Sequence, residues 1–292
     1  MKPNDNFLKL SKTFWASVRL ISQEAGYTEK GKDQIKVPTM KEIKSKLDKF
    51  GIDFDRLQIQ RVGSQKLTML LQEYFTYRAD ILNSYVEPHL MDAAKAKRVF
   101  HKHVVNLKPS CPLPMNKQKG AKKAPAYLTG LVNMLVEANS QGLPYDYDPH
   151  QLTILTRDNL PLRTLARRVD GAFPSSVNPI AIWEIKEYYF TTTFGSRVAD
   201  GIYETLLDGL ELEELREHEN IKVQHYLIVD AHDTWWSQGK SYLCRIVDLL
   251  HMGLIDEVLF GYEVVERLPS LVEEWVNQMV KYSHAIILGE TP

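Results

Sequence analysis

Between Asp170 and Glu184 the chain carries Pro174-Ser-Ser-Val-Asn-Pro179, a proline-bracketed polar stretch that reads as a turn. The flanking segments, Ala166 to Phe173 and Ile180 to Phe190, are rich in β-branched and aromatic residues, so the turn closes them into a β-hairpin. Side chains alternate along a strand, so Glu184 and Lys186 share one face while Trp183 and Ile185 take the other and turn to the core. Asp170, on the first arm, can then join the carboxylate and the amine from across the hairpin.

The segments around this hairpin constrain the fold class. Tyr127 to Ala138 has helical periodicity, Gln151 to Thr156 is strand-like, and Ser196 to His218 is a long helix. Lys222 to Ala231 is an apolar strand, Tyr242 to Met252 a helix, Glu257 to Glu263 a strand, and Ser270 to Ala285 a last helix. The resulting order, α-β-β-β-α-β-α-β, predicts an α/β fold: a mixed central sheet of about five strands flanked by helices on both faces. The chain before about residue 105 reads as all-helical. Helices are expected over Asn6–Ala25, Thr39–Phe50 behind a Thr39/Glu42 capping box, Ser64–Tyr85, and Leu90–His103. A helix-turn-helix made of the second and third is disfavoured because Gly51 to Gly63 is a long connection. Residues 106–125 hold Pro109, Pro112, Pro114, Gly120 and Pro125 and read as a basic, proline-rich linker. Three regions follow: 1–105, 106–125 and 126–292.

Charge and cysteine usage narrow the function classes. The net charge of −1 carries no argument for nucleic acid, but from Lys95 to Lys123 there are nine Lys or Arg and no Asp or Glu. Such a stripe is either a phosphate-facing surface or a solvated connector. Cys111 and Cys244 belong to no CxxC pair, which disfavours a disulfide framework or structural zinc. The start of the chain does not read as a secretory signal, and no apolar run approaches the roughly 20 residues of a membrane span. A cytoplasmic protein is expected.

Two carboxylates beside a lysine suit phosphodiester hydrolysis. Mg²⁺ is a hard cation that binds through one or two carboxylates with water and substrate phosphate, and a nearby amine can orient the attacking water or offset charge on phosphorus. The pattern Asp170…Glu184-Ile185-Lys186 resembles the PD-(D/E)XK nuclease superfamily over about residues 126 to 264. The residue before the first acid is Val169 where the pattern's name has proline. That resemblance implies a restriction endonuclease-like core of a helix, a three-stranded meander, a helix and a strand. It further implies an enzyme that cuts double-stranded DNA with Mg²⁺, as a homodimer, with sequence-specific type II restriction as the natural role. A repair, recombination or transposition nuclease and a non-catalytic DNA-binding or assembly protein are the alternatives. Asp170, Glu184 and Lys186 would be catalytic, with Asp170 and Glu184 holding metal and Glu137, at the end of the preceding helix, as a further metal ligand. Lys117, Lys119, Lys122, Lys123, Arg197 and Gln224 are candidate DNA contacts, against the plainer reading of each as a surface residue. A second copy of the short pattern, Glu42-Ile43-Lys44 with Asp33 upstream, lies behind a capping box and is a decoy.

Overall fold

A computed structural model describes residues 1–29, 34–120, 123–190 and 195–288, with the side chains of 282–288 left out. Lys122 and Asp33 lie outside the described residues.

The centre is a five-stranded mixed sheet of β3 (Asp146–Tyr147), β6 (Gly171–Phe173), β7 (Ala181–Glu187), β8 (Gln224–Asp230) and β9 (Glu257–Phe260), in that spatial order. The hairpin pairing is antiparallel, with Gly171 opposite Trp183 and Phe173 opposite Ala181. β7, β8 and β9 run parallel, so Lys186 lies beside Val229 and Ile228 beside Leu259. The expected α/β class with a mixed five-stranded sheet is therefore observed.

One strand is not where its sequence placed it. The strand expected at Gln151–Thr156 lies outside the central sheet. It forms a separate hairpin of β4 (Ile154–Arg157) and β5 (Leu160–Thr164), closed at Asp158 and Asn159, which both have positive φ. Asp and Asn tolerate that conformation better than other side chains, which is why the chain reverses there. The edge place falls to Asp146 and Tyr147, which pair with Ala172 and Gly171.

Helices cover both faces. α7 (Tyr127–Asn139) and α10 (Glu263–Leu288) pack Leu128, Val132, Leu268, Val272 and Trp275 onto the face that carries Trp183, Tyr226 and Ile228. Trp183 and Trp275 stack with ring centroids 5.6 Å apart and planes 6° from parallel. Gly171 makes this possible, because a Cβ there would stand 2.0 Å from the Trp183 ring. The opposite face receives α8 (Ser196–Glu219) and α9 (Lys240–Met252), through Val198, Ile202, Leu243 and Ile246 against Leu227 and Val229. The face that carries Glu184 and Lys186 is therefore covered as well.

The first part of the chain contributes α1 (Lys12–Ala25), α2 (Met40–Asp48), α3 (Phe54–Ile59), α4 (Leu67–Ile81), the short α5 (Glu87–His89) and α6 (Ala93–Leu107). It is not entirely helical: β1 (Arg61–Val62) and β2 (Gln65–Lys66) form a small hairpin across Gly63. This region shares the central core instead of standing apart. Ala79, Leu82 and Val86 pack with Trp235, Leu243 and Leu250. Arg78, only 1% exposed, reaches both oxygens of Asp248 on α9 at 3.0 Å, and Tyr74 donates to the same carboxylate at 2.6 Å. The proline-rich stretch after α6 folds back on itself, with the Ala126 amide bonded to the Pro114 carbonyl and Asn133 holding the Pro112 carbonyl.

Candidate functional site

The hairpin brings Asp170 next to Glu184. Because Gly171 pairs with Trp183, Asp170 falls opposite Glu184, and antiparallel neighbours sit about 4.5–5.5 Å apart at Cα. β6 begins only at Gly171, which leaves the Ile185 amide without a strand partner, and the Asp170 carboxylate accepts it at 2.7 Å. Lys186 is the next residue on Glu184's face and donates to Glu184 Oε2 at 3.0 Å. The three residues singled out by spacing thus meet at the carboxyl end of β7.

They meet inside a larger ionic cluster. Arg167, just ahead of the hairpin, forks onto Glu184 at 2.7 and 3.0 Å and also reaches Asp208 Oδ2 on α8 at 2.6 Å. Glu204, one turn earlier on α8, accepts from Lys186 at 2.7 Å. Gly201 lets α8 lie against the lysine stem, since a Cβ there would come within 3.2 Å of two of its carbons. Glu184 and Asp208 have no solvent exposure, and Asp208 Oδ1 has no hydrogen-bond partner among the described residues.

The electrostatics follow from the count. Among the described residues the ion pairs of this cluster set Glu184, Glu204 and Asp208 against Arg167 and Lys186, with Asp170 adjoining, four acids beside two paired cations. Burial pushes Asp208 up to about 7, with Arg167 pulling the other way. Desolvation by the surrounding protein and the charge of Glu184 push Asp170 up to about 7, although the residue as a whole is exposed. Burial would raise Glu184 too, but Lys186 and the Arg167 fork outweigh it and hold the carboxyl below its ordinary range. Burial alone would lower Lys186, yet Glu184, Asp170 and Glu204 keep it above the usual lysine value, so it is a cation at neutral pH.

A cleft of about 1080 Å³ opens beside this cluster. Asp170, Ile185, Glu187 and Glu204 form part of its wall, and Glu184 and Lys186 lie one layer behind. Pro112 and Pro114 to Gln118 of the basic loop, Thr129 and Asn133 of α7, and the segment from Tyr145 to Gln151 also line it. Glu187 faces the cleft on the side of the sheet away from Glu184. It accepts the Thr129 amide and hydroxyl, both at 3.1 Å, at the start of α7, while its other oxygen is buried with no hydrogen-bond partner among the described residues. Burial pushes Glu187 up to about 7, and does the same to its cross-strand neighbour Asp230.

The remaining candidates separate. Lys117 and Arg197 line the cleft; Lys119 and Lys123 are exposed but outside its wall. Glu137 is not brought into the cluster: its carboxylate takes the amide and hydroxyl of Ser110, pinning the basic loop to α7. Asn133, one turn earlier on the same helix face, stands on the cleft wall instead. Gln224 pairs with Ala181, five residues back from Lys186, about 16 Å along the strand, and bonds Gln278. Arg167, Glu204, Asp208 and Glu187 were not singled out from sequence. Only Glu187 was within reach, as a third charged residue in Glu184–Glu187.

The Domain of unknown function (DUF7687) model matches residues 91–275, which runs from α6 into the first half of α10 and includes every residue of this cluster. The chain belongs to the DUF7687 family. A second Domain of unknown function (DUF7690) matches residues 1–85, the part that contributes α1 to α4. No curated protein and no solved structure matches the chain. The DUF7687 region thus contains the whole central sheet, while the DUF7690 region supplies the helices that pack beside α9. Among the described residues no helix is long and apolar enough to cross a membrane.

Proposed function

We propose that this chain is a Mg²⁺-dependent nuclease that hydrolyses DNA phosphodiester bonds at the Asp170 cluster. The observation that carries the proposal is the register that sets Asp170 against Glu184 with Lys186 beside them, Asp170 on the wall of a cleft at the carboxyl ends of parallel strands and the other two directly behind it. Crevices at such strand ends are the usual ligand sites of open α/β sheets. The order α7, three sheet strands, α8, β8 also agrees with the restriction endonuclease-like core that the PD-(D/E)XK resemblance implies.

The donor set suits the cation. Its ligands are oxygen, its carboxyls outnumber the cations paired with them, and Asp208 Oδ1 has no hydrogen-bond partner among the described residues. Asp170 and Glu204 are the members that reach the cleft, and Glu184 would join Asp170 once Arg167 releases an oxygen. When bound, Mg²⁺ supplies Lewis-acid polarisation of a phosphoryl oxygen and a lowered pKa for water. Asp170 and Glu184 hold the cation side of the site. Lys186, kept protonated by its acidic neighbours, orients water and stabilises charge growing on the phosphate oxygens. The resemblance assigns the type II restriction role, double-stranded DNA and a homodimer; repair, recombination or transposition is the same chemistry in another setting.

Incubating supercoiled plasmid with the protein in Mg²⁺ and in EDTA tests this. Nicking or linearisation is expected in Mg²⁺ only, and Lys186→Met should lower the rate by roughly 10²–10³-fold. A second reading has its own support: both oxygens of Glu184 are occupied, and among the described residues no group of three or more His, Cys, Asp or Glu is placed to hold a metal. On that reading the cluster is a buried structural brace of a DNA-binding protein. Absence of cleavage, together with Lys186→Met costing stability alone, would establish it.

A further inference from the structure

The cleft wall carries a feature that phosphodiester chemistry does not use. Tyr145, Tyr147, Tyr188 and Phe190 bring aromatic rings to it. Tyr147 is the most accessible of these, 36% exposed, and its ring is supported by Tyr145 at 5.6 Å between centroids. Its position is tied to the acidic cluster. Tyr147 pairs with Gly171 on the edge of the sheet, and the next residue, Asp148, donates its amide to the Asp170 carbonyl at 2.9 Å. The Tyr147 backbone therefore lies one register position from Asp170, and both residues line the same cleft. Tyr188 is held from behind by Trp235, at 5.5 Å, and by its hydroxyl bond to the Arg197 carbonyl. Lys117, from the basic loop, and Arg197, from the start of α8, add cations from two separate elements of the wall.

Rings beside cations form the combination that holds an unpaired nucleic-acid strand, because each base offers a π-face and each linkage a phosphate. A base inside an intact duplex has both faces covered by its neighbours and presents nothing for such a ring to stack on. We infer that the cleft takes unpaired nucleotides, with Tyr147 stacking on a base adjacent to the linkage at Asp170, so that the substrate is DNA carrying a single-stranded segment. This rests on the nuclease reading of the cluster and moves its substrate from intact duplex toward overhangs, gaps or flaps.

Fluorescence anisotropy of the full chain with labelled oligo(dT), and with a duplex of the same length, tests the inference in Ca²⁺ without scoring cleavage. Oligo(dT) is expected to bind more tightly than the duplex. Tyr147→Ala should weaken oligo(dT) binding about 5- to 150-fold, the range for one lost base–aromatic stack, while Tyr147→Phe retains it. Equal or tighter binding of the duplex by the unaltered chain overturns the inference, as does unchanged oligo(dT) affinity in Tyr147→Ala. The two proposals fail separately. Strand binding without cleavage in Mg²⁺ removes the nuclease and leaves the strand site, whereas cleavage of intact duplex without strand preference does the reverse.

Discussion

Arg167→Leu is the perturbation that most directly probes the cluster. Its guanidinium forks Glu184 and reaches Asp208, two carboxylates with no solvent exposure. Removing one partner of a buried pair costs about 3–5 kcal/mol, because the remaining charge keeps its desolvation penalty without its attraction. Glu184 retains Lys186, so that range is not doubled. With an unfolding entropy of about 2.1 cal/mol/K per residue, 292 residues give roughly 0.6 kcal/mol per kelvin, and the melting temperature should fall by about 5–8 °C. The pH dependence carries a definite sign. Glu184 is held below its unfolded value, so it stabilises the fold above that value and loses this as pH falls through the folded one. Asp208, pushed up to about 7, favours the fold while protonated and loses that contribution as pH rises through 7. Without the guanidinium both carboxyls move up, so the penalty is greatest above neutrality and shrinks toward about pH 5, where protons take its place. Thermal or urea unfolding of both proteins at about pH 8 and about pH 5 measures it. A penalty below about 1 kcal/mol at the higher pH, or one equal at both, refutes the reasoning.

Three further outcomes follow from the geometry. Asp248→Ala strands Arg78 in the core and removes the Tyr74 acceptor, so it should cost about 3–5 kcal/mol, whereas Arg78→Met with Asp248→Leu should recover most of that in denaturant titrations. Divalent-cation affinity measured by calorimetry should weaken up to about tenfold per pH unit as pH falls below about 7, because Asp170 must lose a proton to bind; a flat profile from about pH 6 to 8 counts against that site. Gly171→Ala should cost about 3 kcal/mol or more and alter near-UV circular dichroism, since Trp183 is clamped against Trp275 and has nowhere to move.

What the sequence determined by itself was local. Pro174 to Pro179 closes the hairpin, period-two alternation puts Glu184 and Lys186 on one face, and the alternation of helix and strand patterns sets the α/β class. Each depends on neighbours within about twenty residues, where backbone geometry leaves few choices. The edge strand escaped notice because Asp146 and Tyr147, set between Pro144 and Pro149, have too little length for a periodic signal, while Ile154 to Thr156 has the β-branched composition but a tight turn after it. The tertiary structure decided which charges surround Glu184. Arg167 arrives from a segment without regular structure, and Asp208 and Glu204 from the long helix α8, whose other acids are too numerous to single these two out by spacing. It also chose Asn133 over Glu137 for the cleft and sent Gln224 to the far end of β8. Long-range packing sets how a helix is rotated and where along a sheet it docks, and one turn of rotation or a five-residue step in register moves a side chain out of reach.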